Sequence, residues 1–359
     1  MSNPPRKKNG GLIANQKENT SHKKAGFWVL ILFVLFFLIS FILSFSLGRY
    51  PIDPWTLIKI LLSRILPLEQ TWSSQMEIVV FNIRLPRVLA GSLIGASLAL
   101  SGLVFQTIFH NPMVSPDVLG TTSGAGFGAA LALLLNLPSL MVNAFAFIMG
   151  LISILLVYLV SSRVKNNQIL GFVLGGIMIS SIFTSLTSYI KLVADPNDTL
   201  PNITYFLMGS LASCTMRDVA ISVIPMALGM TTILLLSWKL NLLSLSEEEA
   251  RSLGINTRLI RTIVVIASAL LISTSVAIAG VIGWIGLVIP HIIRMLIGCD
   301  TRRTIPASIF MGSSFLIIVD TFSRMLSTAE VPIGILTSLI GAPFFLYLII
   351  RQGRREDAL

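Results

Sequence analysis

Apolar runs recur from Phe27 to Ile350, and a run of about 20 residues, wound as a helix, crosses a hydrocarbon core roughly 30 Å thick. Lipid offers no partner to backbone N–H and C=O groups, so a chain made of many such runs is confined to a bundle of helices. The charged residues agree. They make up 12% of the 359 residues, against 54% hydrophobic, where a soluble domain carries about 25% charged residues. The mean hydropathy is +0.85. The sequence therefore predicts an all-α polytopic membrane protein. Its spans are expected near 27–48, 87–107, 117–136, 139–161, 169–190, 218–238, 259–279, 281–297, 305–325 and 334–351, about ten transmembrane helices in all. Asn111-Pro112 and Pro116 separate the second span from the third, Gly280 and Gly283 the seventh from the eighth, and Pro290 is expected to interrupt the eighth.

A net charge of +10 in a soluble protein would suggest nucleic acid or an anionic substrate. In a membrane protein the same charge reports orientation. With both termini cytoplasmic, 18 of the 26 basic residues fall on the cytoplasmic side, as the positive-inside bias requires. The outward exceptions include Arg49, Arg84, Arg87 and Arg324. Residues 1–26 read as a basic cytoplasmic tail, 27–351 as one transmembrane domain and 352–359 as a second cytoplasmic tail. The first apolar run lacks a small-x-small cleavage site and reads as a retained anchor. Cys214 and Cys299 fall on opposite faces of this topology, which rules out a disulfide between them. His22, His110 and His291 have no Cys, Asp or Glu at ligand spacing, so no metal site and no cofactor bound by this chain is expected.

Charged side chains are nearly absent from the span interiors; Asp320, four residues before Arg324, is the exception. Gradient-driven transporters generally need ionisable groups near the midplane, and a membrane-embedded enzyme needs a polar cluster at one depth. Neither is legible. The chain also lacks a Gly-x4-Gly-Lys-Ser/Thr loop, so ATP and Mg would sit on a separate ATPase subunit. The longest hydrophilic stretch on the inner face, about 239–258, contains Ser246-Glu247-Glu248-Glu249, where Ser246 and Glu249 can form a capping box. Leu253-Gly254-Ile255 then ends that short helix with a left-handed turn. It reads either as a solvated loop or as a contact for the ATPase. Small residues four apart (Gly91, Gly95, Ala99; Gly120, Gly124, Gly128; Gly171, Gly175) read either as plain helix packing or, from Gly171 on, as a subunit interface or pathway lining.

Arg84-Leu85-Pro86-Arg87, Gly95 to Gly102, Asn111-Pro112-Met113 and Pro116 to Gly120 are followed by Gly280 to Arg294, Glu330 to Gly334 and Gly341-Ala342-Pro343-Phe344. In this order, across roughly residues 50–350, the sequence resembles the FecCD family of importer permeases, which serve iron-siderophores, haem and cobalamin. The resemblance implies the type II ABC importer permease fold: ten helices per subunit, a homodimer or a heterodimer with a related permease, two ATP-binding-cassette ATPase subunits inside and a substrate-binding protein outside. It implies import of an iron-siderophore or related chelate by alternating access across the cytoplasmic (inner) membrane of a bacterium or archaeon. Haem, cobalamin or an oxyanion such as molybdate is the alternative cargo.

Ser246, Glu248, Glu249, Ala250, Leu253 and Gly254 match the family's coupling loop for the ATPase, with Glu249 in place of the first Ala of Glu-Ala-Ala-x3-Gly. Arg84, Arg87 and Arg324 match outward arginines that dock acidic residues of the binding protein. Their alternative is an Asp320–Arg324 pair within one helix, with headgroup contacts for the other two. The family's gates map, at the cytoplasmic side, to Asn111, Met113, Gln168 and Ile169. The pathway and outer gate map to Gly171, Gly175, Tyr205, Met208 and Gly209. His291 matches a family position as well, and reads as a helix-end hydrogen-bonding group.

Overall fold

A computed structural model describes residues 9–356 apart from 65, 68, 165–167, 244–246 and 328. In chain order its α-helices are α1 (Asn9–Ser46), α2 (Pro54–Leu62), α3 (Ser74–Ile78), α4 (Leu85–Ile108), α5 (Thr121–Leu134), α6 (Ser139–Arg163), α7 (Gln168–Val193) and α8 (Thr199–Leu207). They continue with α9 (Met216–Leu235), α10 (Ser237–Leu242), α11 (Glu247–Ser252), α12 (Thr257–Ala279), α13 (Ile285–Ile297), α14 (Thr301–Leu326) and α15 (Ile333–Glu356). No strand occurs among the described residues. Among the described residues seven helices are long and apolar enough to cross a membrane, and α5, α13 and α15 supply three shorter apolar stretches. Each expected span thus has its helix.

Four boundaries differ from expectation. Helix α1 begins at Asn9, inside the stretch read as a tail. The second span starts at Ser74: α3 passes through one π-helical segment, Val79–Arg84, directly into α4, giving 35 continuous residues. Helix α5 starts only at Thr121, after a 3-10 turn over Pro116–Leu119. The eighth span shortens to α13, and Pro290 lies inside that helix without ending it. A proline removes the N–H that residue 286 would have received. The fully buried Gln106 brings its amide to that gap, with Nε2 3.2 Å from Leu287 O and 3.5 Å from Gly286 O. A side chain from α4 thus serves carbonyls that water cannot reach at this depth.

Helix α4 is the axis of the bundle. In its apolar window 83% of residues are buried, against 22% in α1 and 28% in α7 and α9, which face outward. Close approach to α4 depends on paired glycines. A Cβ on Gly95 would enter the carbonyl of Gly312 in α14, and one on Gly102 would enter the carbonyl of Gly286 in α13. Gly124 and Gly128 meet α6 in the same way, at Met149 and Phe145. Where lipid supplies no hydrophobic drive between helices, such approaches gain dispersion contacts instead. Two ends result. One, the arginine end, holds the start of α4, the end of α14 and the links around α2 and α8. At the other, Thr301 bonds Ser237 and Asn241, His110 bonds Leu243 O, and α11 precedes the start of α12.

Candidate functional site

Arg84 and Arg87 lie three residues apart at the exit of the π-helical segment, so both turn inward on one face of the helix, toward Arg324 near the end of α14. Asp320 joins two of the three: its Oδ1 is 2.7 Å from Arg87 Nη2 and its Oδ2 3.1 Å from Arg324 Nε. Glu330 adds both carboxylate oxygens at 2.9 Å from Arg87 Nη1. Arg324 also donates to Ser44 Oγ at 2.8 Å, and Arg84 donates to the carbonyls of Phe45 and Tyr50. The structure therefore gathers all three arginines but buries them, at 3%, 2% and 6% exposure. The Asp320–Arg324 pair within one helix is present, but the headgroup contacts expected beside it for Arg84 and Arg87 are corrected, since both are enclosed. The three guanidinium groups expected to meet acidic groups of a binding protein are engaged within this chain. Burying charge is tolerable only with partners of this quality.

From Glu330 the chain runs to a second knot. Ser323 Oγ donates to Val331 O at 2.6 Å, Ile333 N to Gly209 O at 2.8 Å and Gly334 N to Met208 O at 3.1 Å. Ser210 N donates to Ala279 O at 2.8 Å, which draws in the α12–α13 link. Gly209 holds φ at +77°, a conformation costly for other residues. Beside this knot opens a cavity of about 520 Å³ lined by Leu207, Met208, Val281, Gly283, Gly334, Ile335, Ser338 and Leu339. Trp284, at the entry to α13, carries φ +71°, an outlier for a bulky residue, and its ring packs edge-on to Phe345 of α15.

Of the residues expected to line the pathway, Tyr205, Met208 and Gly209 lie together here, Tyr205 and Met208 being well exposed. Gly171 and Gly175 do not. They sit toward the other end of α7 and face α6, where added Cβ atoms would meet Ser161 at 3.0 Å and Val160 at 3.3 Å. Close packing of α6 on α7 is what their small size permits, so their place in an outer gate is withdrawn.

At the opposite end, Asn111 and Met113 are exposed on the α4–α5 link, with Asn111 Oδ1 accepting Met113 N at 2.9 Å. Ile169 is half-buried in the first turn of α7. Gln168 opens that helix, and its side chain lies outside the described residues. Arg294 reaches back from α13 to Thr107 Oγ1 at 2.8 Å. Of the coupling loop, Ser246 and the side chain of Glu248 also lie outside the described residues, and with them the expected capping box. The rest forms the expected shape: α11 ends where Ile255 N bonds Ala250 O at 3.3 Å, and Gly254 takes φ +76°. Ala250 is buried, whereas Glu249 and Leu253 face outward. His291 is half-buried in mid-helix, away from the helix end expected to need it. Glu330, Gln106, Ser44 and Trp284 were not singled out as site residues by sequence reasoning. Glu330 and Trp284 fall in motifs noted without a role, the Glu330 to Gly334 and Gly280 to Arg294 runs; Gln106 and Ser44 carried no signal.

An apolar helical bundle with a charged knot at one end, an apolar mouth beside it and a helix-and-glycine turn at the other has the architecture of a membrane transport permease. The chain belongs to the FecCD transport family, whose pattern it matches over residues 35–351. It is 38% identical over 325 residues to the molybdate import system permease protein MolB of Haemophilus influenzae, covering 90% of this chain and 96% of that one. It is 38% identical over 289 residues to the hemin transport system permease protein HmuU of Yersinia pestis, covering 77% and 84%. Among solved structures, an inward-facing ABC transporter of metal-chelate type superposes with a TM-score of 0.81 at 36% identity, covering 90% of this chain and 99% of that one. The chain is thus the membrane-spanning permease subunit of an ABC importer, and ATP hydrolysis belongs to a separate subunit.

Proposed function

We propose that the permease imports a metal chelate of the iron-siderophore kind, delivered by an extracytoplasmic binding protein at the arginine end, by alternating access. The observation that carries this reading is the cavity beside Met208 and Gly334, about 520 Å³, with one hydroxyl, Ser338, and no charged side chain in its lining. A wall with few strong partners lets a bulky ligand pass without trapping it, which leaves selection to the binding protein. Likeness to a metal-chelate transporter and to a hemin permease supports the same cargo class. Molybdate is the second reading, favoured by the relative MolB; a small oxyanion would find a single hydroxyl donor in this mouth.

The remaining parts follow from position. Orientation with both termini cytoplasmic rests on the basic residues. A second permease, identical or related, fits against the exposed apolar faces of α7 (Ile177, Met178, Tyr189) and α15 (Leu339, Tyr347). Asn111, Met113, Gln168 and Ile169 form the cytoplasmic gate, and Tyr205, Met208 and Gly209 the outer one. Arg87, with Arg84 and Arg324 behind it, receives acidic groups of the binding protein. Helix α11 and its turn seat in the ATPase, where ATP and Mg are bound, and transmit its closure as a rigid-body motion.

The test is uptake of labelled ferric siderophore, hemin, cobalamin and molybdate into vesicles holding the permease, its ATPase and its binding protein, beside a Gly254→Trp variant. Among the described residues no atom lies within 4 Å of a Cβ built on Gly254, so a bulky side chain there disturbs the turn, whose φ is +76°, and the surface it presents to a partner. ATP-dependent uptake of a chelate, abolished in an assembled variant, is the expected result. Uptake of molybdate alone would replace the cargo, and an unaffected variant would sink the coupling role of α11.

A further inference from the structure

Arg87 is held by two carboxylates with different freedom. Asp320 is shared between two arginines and its side chain is 2% exposed, whereas the Glu330 side chain, on the rim, is 27% exposed. Arg84, Arg87 and Arg324 carry three positive charges, and Asp320 and Glu330 two negative ones. A buried cluster with surplus positive charge favours any further carboxylate that reaches it. Glu330 is the acid of the five that solvent, or an approaching protein, contacts.

Glu330 also begins the strap that ends in the mouth. Val331 is bonded to Ser323, Ile333 to Gly209 and Gly334 to Met208, all through backbone groups or a short hydroxyl. These bonds have little slack. A Cβ on Gly334 would enter the Met208 carbonyl, one on Gly280 would enter that of Phe206, and one on Gly209 would come within 2.5 Å of Val281 O. A shift of Glu330 therefore moves the α8–α9 turn and the α12–α13 link, which supply Met208, Val281 and Gly283 to the cavity wall.

We propose that Glu330 is a positioning residue that occupies, on Arg87, the place taken by a binding-protein carboxylate during delivery, and that its displacement loosens the mouth. This rests on the docking reading above. Exchange of one carboxylate for another keeps Arg87 Nη1 paired while Asp320 stays on Nη2, so neither end of the buried guanidinium loses its acceptor. The partner chemistry is an aspartate or glutamate presented on a convex surface, accepted by Arg87 with the geometry Glu330 now has.

The experiment uses the assembled importer in nanodiscs with its binding protein, and a Met208→Cys reporter labelled by maleimide in a Cys299→Ser background, which removes the exposed native thiol. Glu330→Gln should bind the binding protein about tenfold tighter, since the internal competitor is neutralised. Without binding protein, it should also label Met208→Cys at the rate of the docked wild type. Glu330→Asp, which retains the charge, should resemble wild type and controls for folding. Arg87→Lys should weaken docking about tenfold, because an ammonium cannot hold two acids in a planar fork. If Arg87→Lys weakens docking while Glu330→Gln leaves it unchanged or weaker, docking stands and displacement is wrong. Tighter docking with unchanged labelling overturns the link to the mouth. Affinity unmoved by either variant overturns the docking reading itself.

Discussion

The two ends of this bundle solve opposite problems. At the arginine end, three backbone hydrogen bonds beside the ion cluster tie together the segments of Gly209, Gly280 and Gly334, each of which lacks room for a methyl group. At the other end, Gly254 takes a similar left-handed conformation with no atom near its missing side chain. In the first case glycine answers to packing and in the second to backbone shape alone. A tight knot changes state only as a unit, which suits a gate. An outward turn is shaped before its partner arrives, which suits a lever. The contrast predicts that substitutions at the arginine end act first on folding, and substitutions at the far end first on coupling.

The largest effect tests the ion cluster. Asp320→Asn leaves two buried guanidinium groups short of a counter-charge, a loss of about 3–5 kcal/mol. Detergent-solubilised protein should melt far lower or fail to accumulate; a melting temperature within a degree of wild type would show that the cluster is solvated after all. Next, Gly334→Ala drives a methyl group into the Met208 carbonyl, with Val281 O at 3.0 Å on the other side, so relief in either direction is blocked. Overpacking of this kind costs about 1–3 kcal/mol. Uptake should fall together with thermal stability; loss of uptake at full stability would mean that the knot is a moving part without being a structural one.

The contrast also separates what was legible in the sequence from what was not. Apolar runs specify spans because the bilayer imposes a minimum length on a crossing helix, and each of the ten expected runs has its helix, though with shifted boundaries at four. Pro290 misled because a helix break was inferred from its own chain, while the remedy, Gln106, lies 184 positions earlier on another helix. Gly171 and Gly175 misled for a related reason: a small residue marks a close approach without naming the neighbour, and here the neighbour is α6. The three arginines were legible as a group. Their burial was not, because Glu330 and Ser44 meet them only after α1, α4 and α14 come together. Gly254 was read correctly because a left-handed turn is a local property of the backbone.

A smaller effect belongs to that turn. Gly254→Ala keeps open space around the methyl group but places an L-residue at φ +76°, which costs about 1–2 kcal/mol. Gly254→Asn should cost less, since asparagine tolerates this conformation. The strain is confined to an exposed turn, so the melting transition of the permease should stay put while ATP-driven uptake falls, more for Ala than for Asn. Equal losses in both would show that side-chain bulk at the partner contact, and not the turn conformation, governs coupling.

The smallest perturbation uses the native cysteines, which happen to report one end each. Cys299 is exposed in the turn before α14 at the far end, and Cys214 is buried in the loop after α8 at the arginine end. Burial, reinforced by the nearby Asp218 carboxylate, pushes the Cys214 thiol up to about 12. At pH 8 the Cys214 thiol is then almost wholly protonated, and the thiolate is the reactive form. Maleimide should label Cys299 quickly and leave Cys214 unmodified, and raising the pH to 9 should barely change this, because the pH remains far below the thiol's titration. Adding the binding protein tests the knot without any mutation: if docking loosens the mouth, the Ser210–Cys214 segment opens and labelling at Cys214 rises. Fast labelling of Cys214 in the undocked permease would show that the arginine end is open at rest, and the proposed division between a closed gate and an exposed lever would fail there.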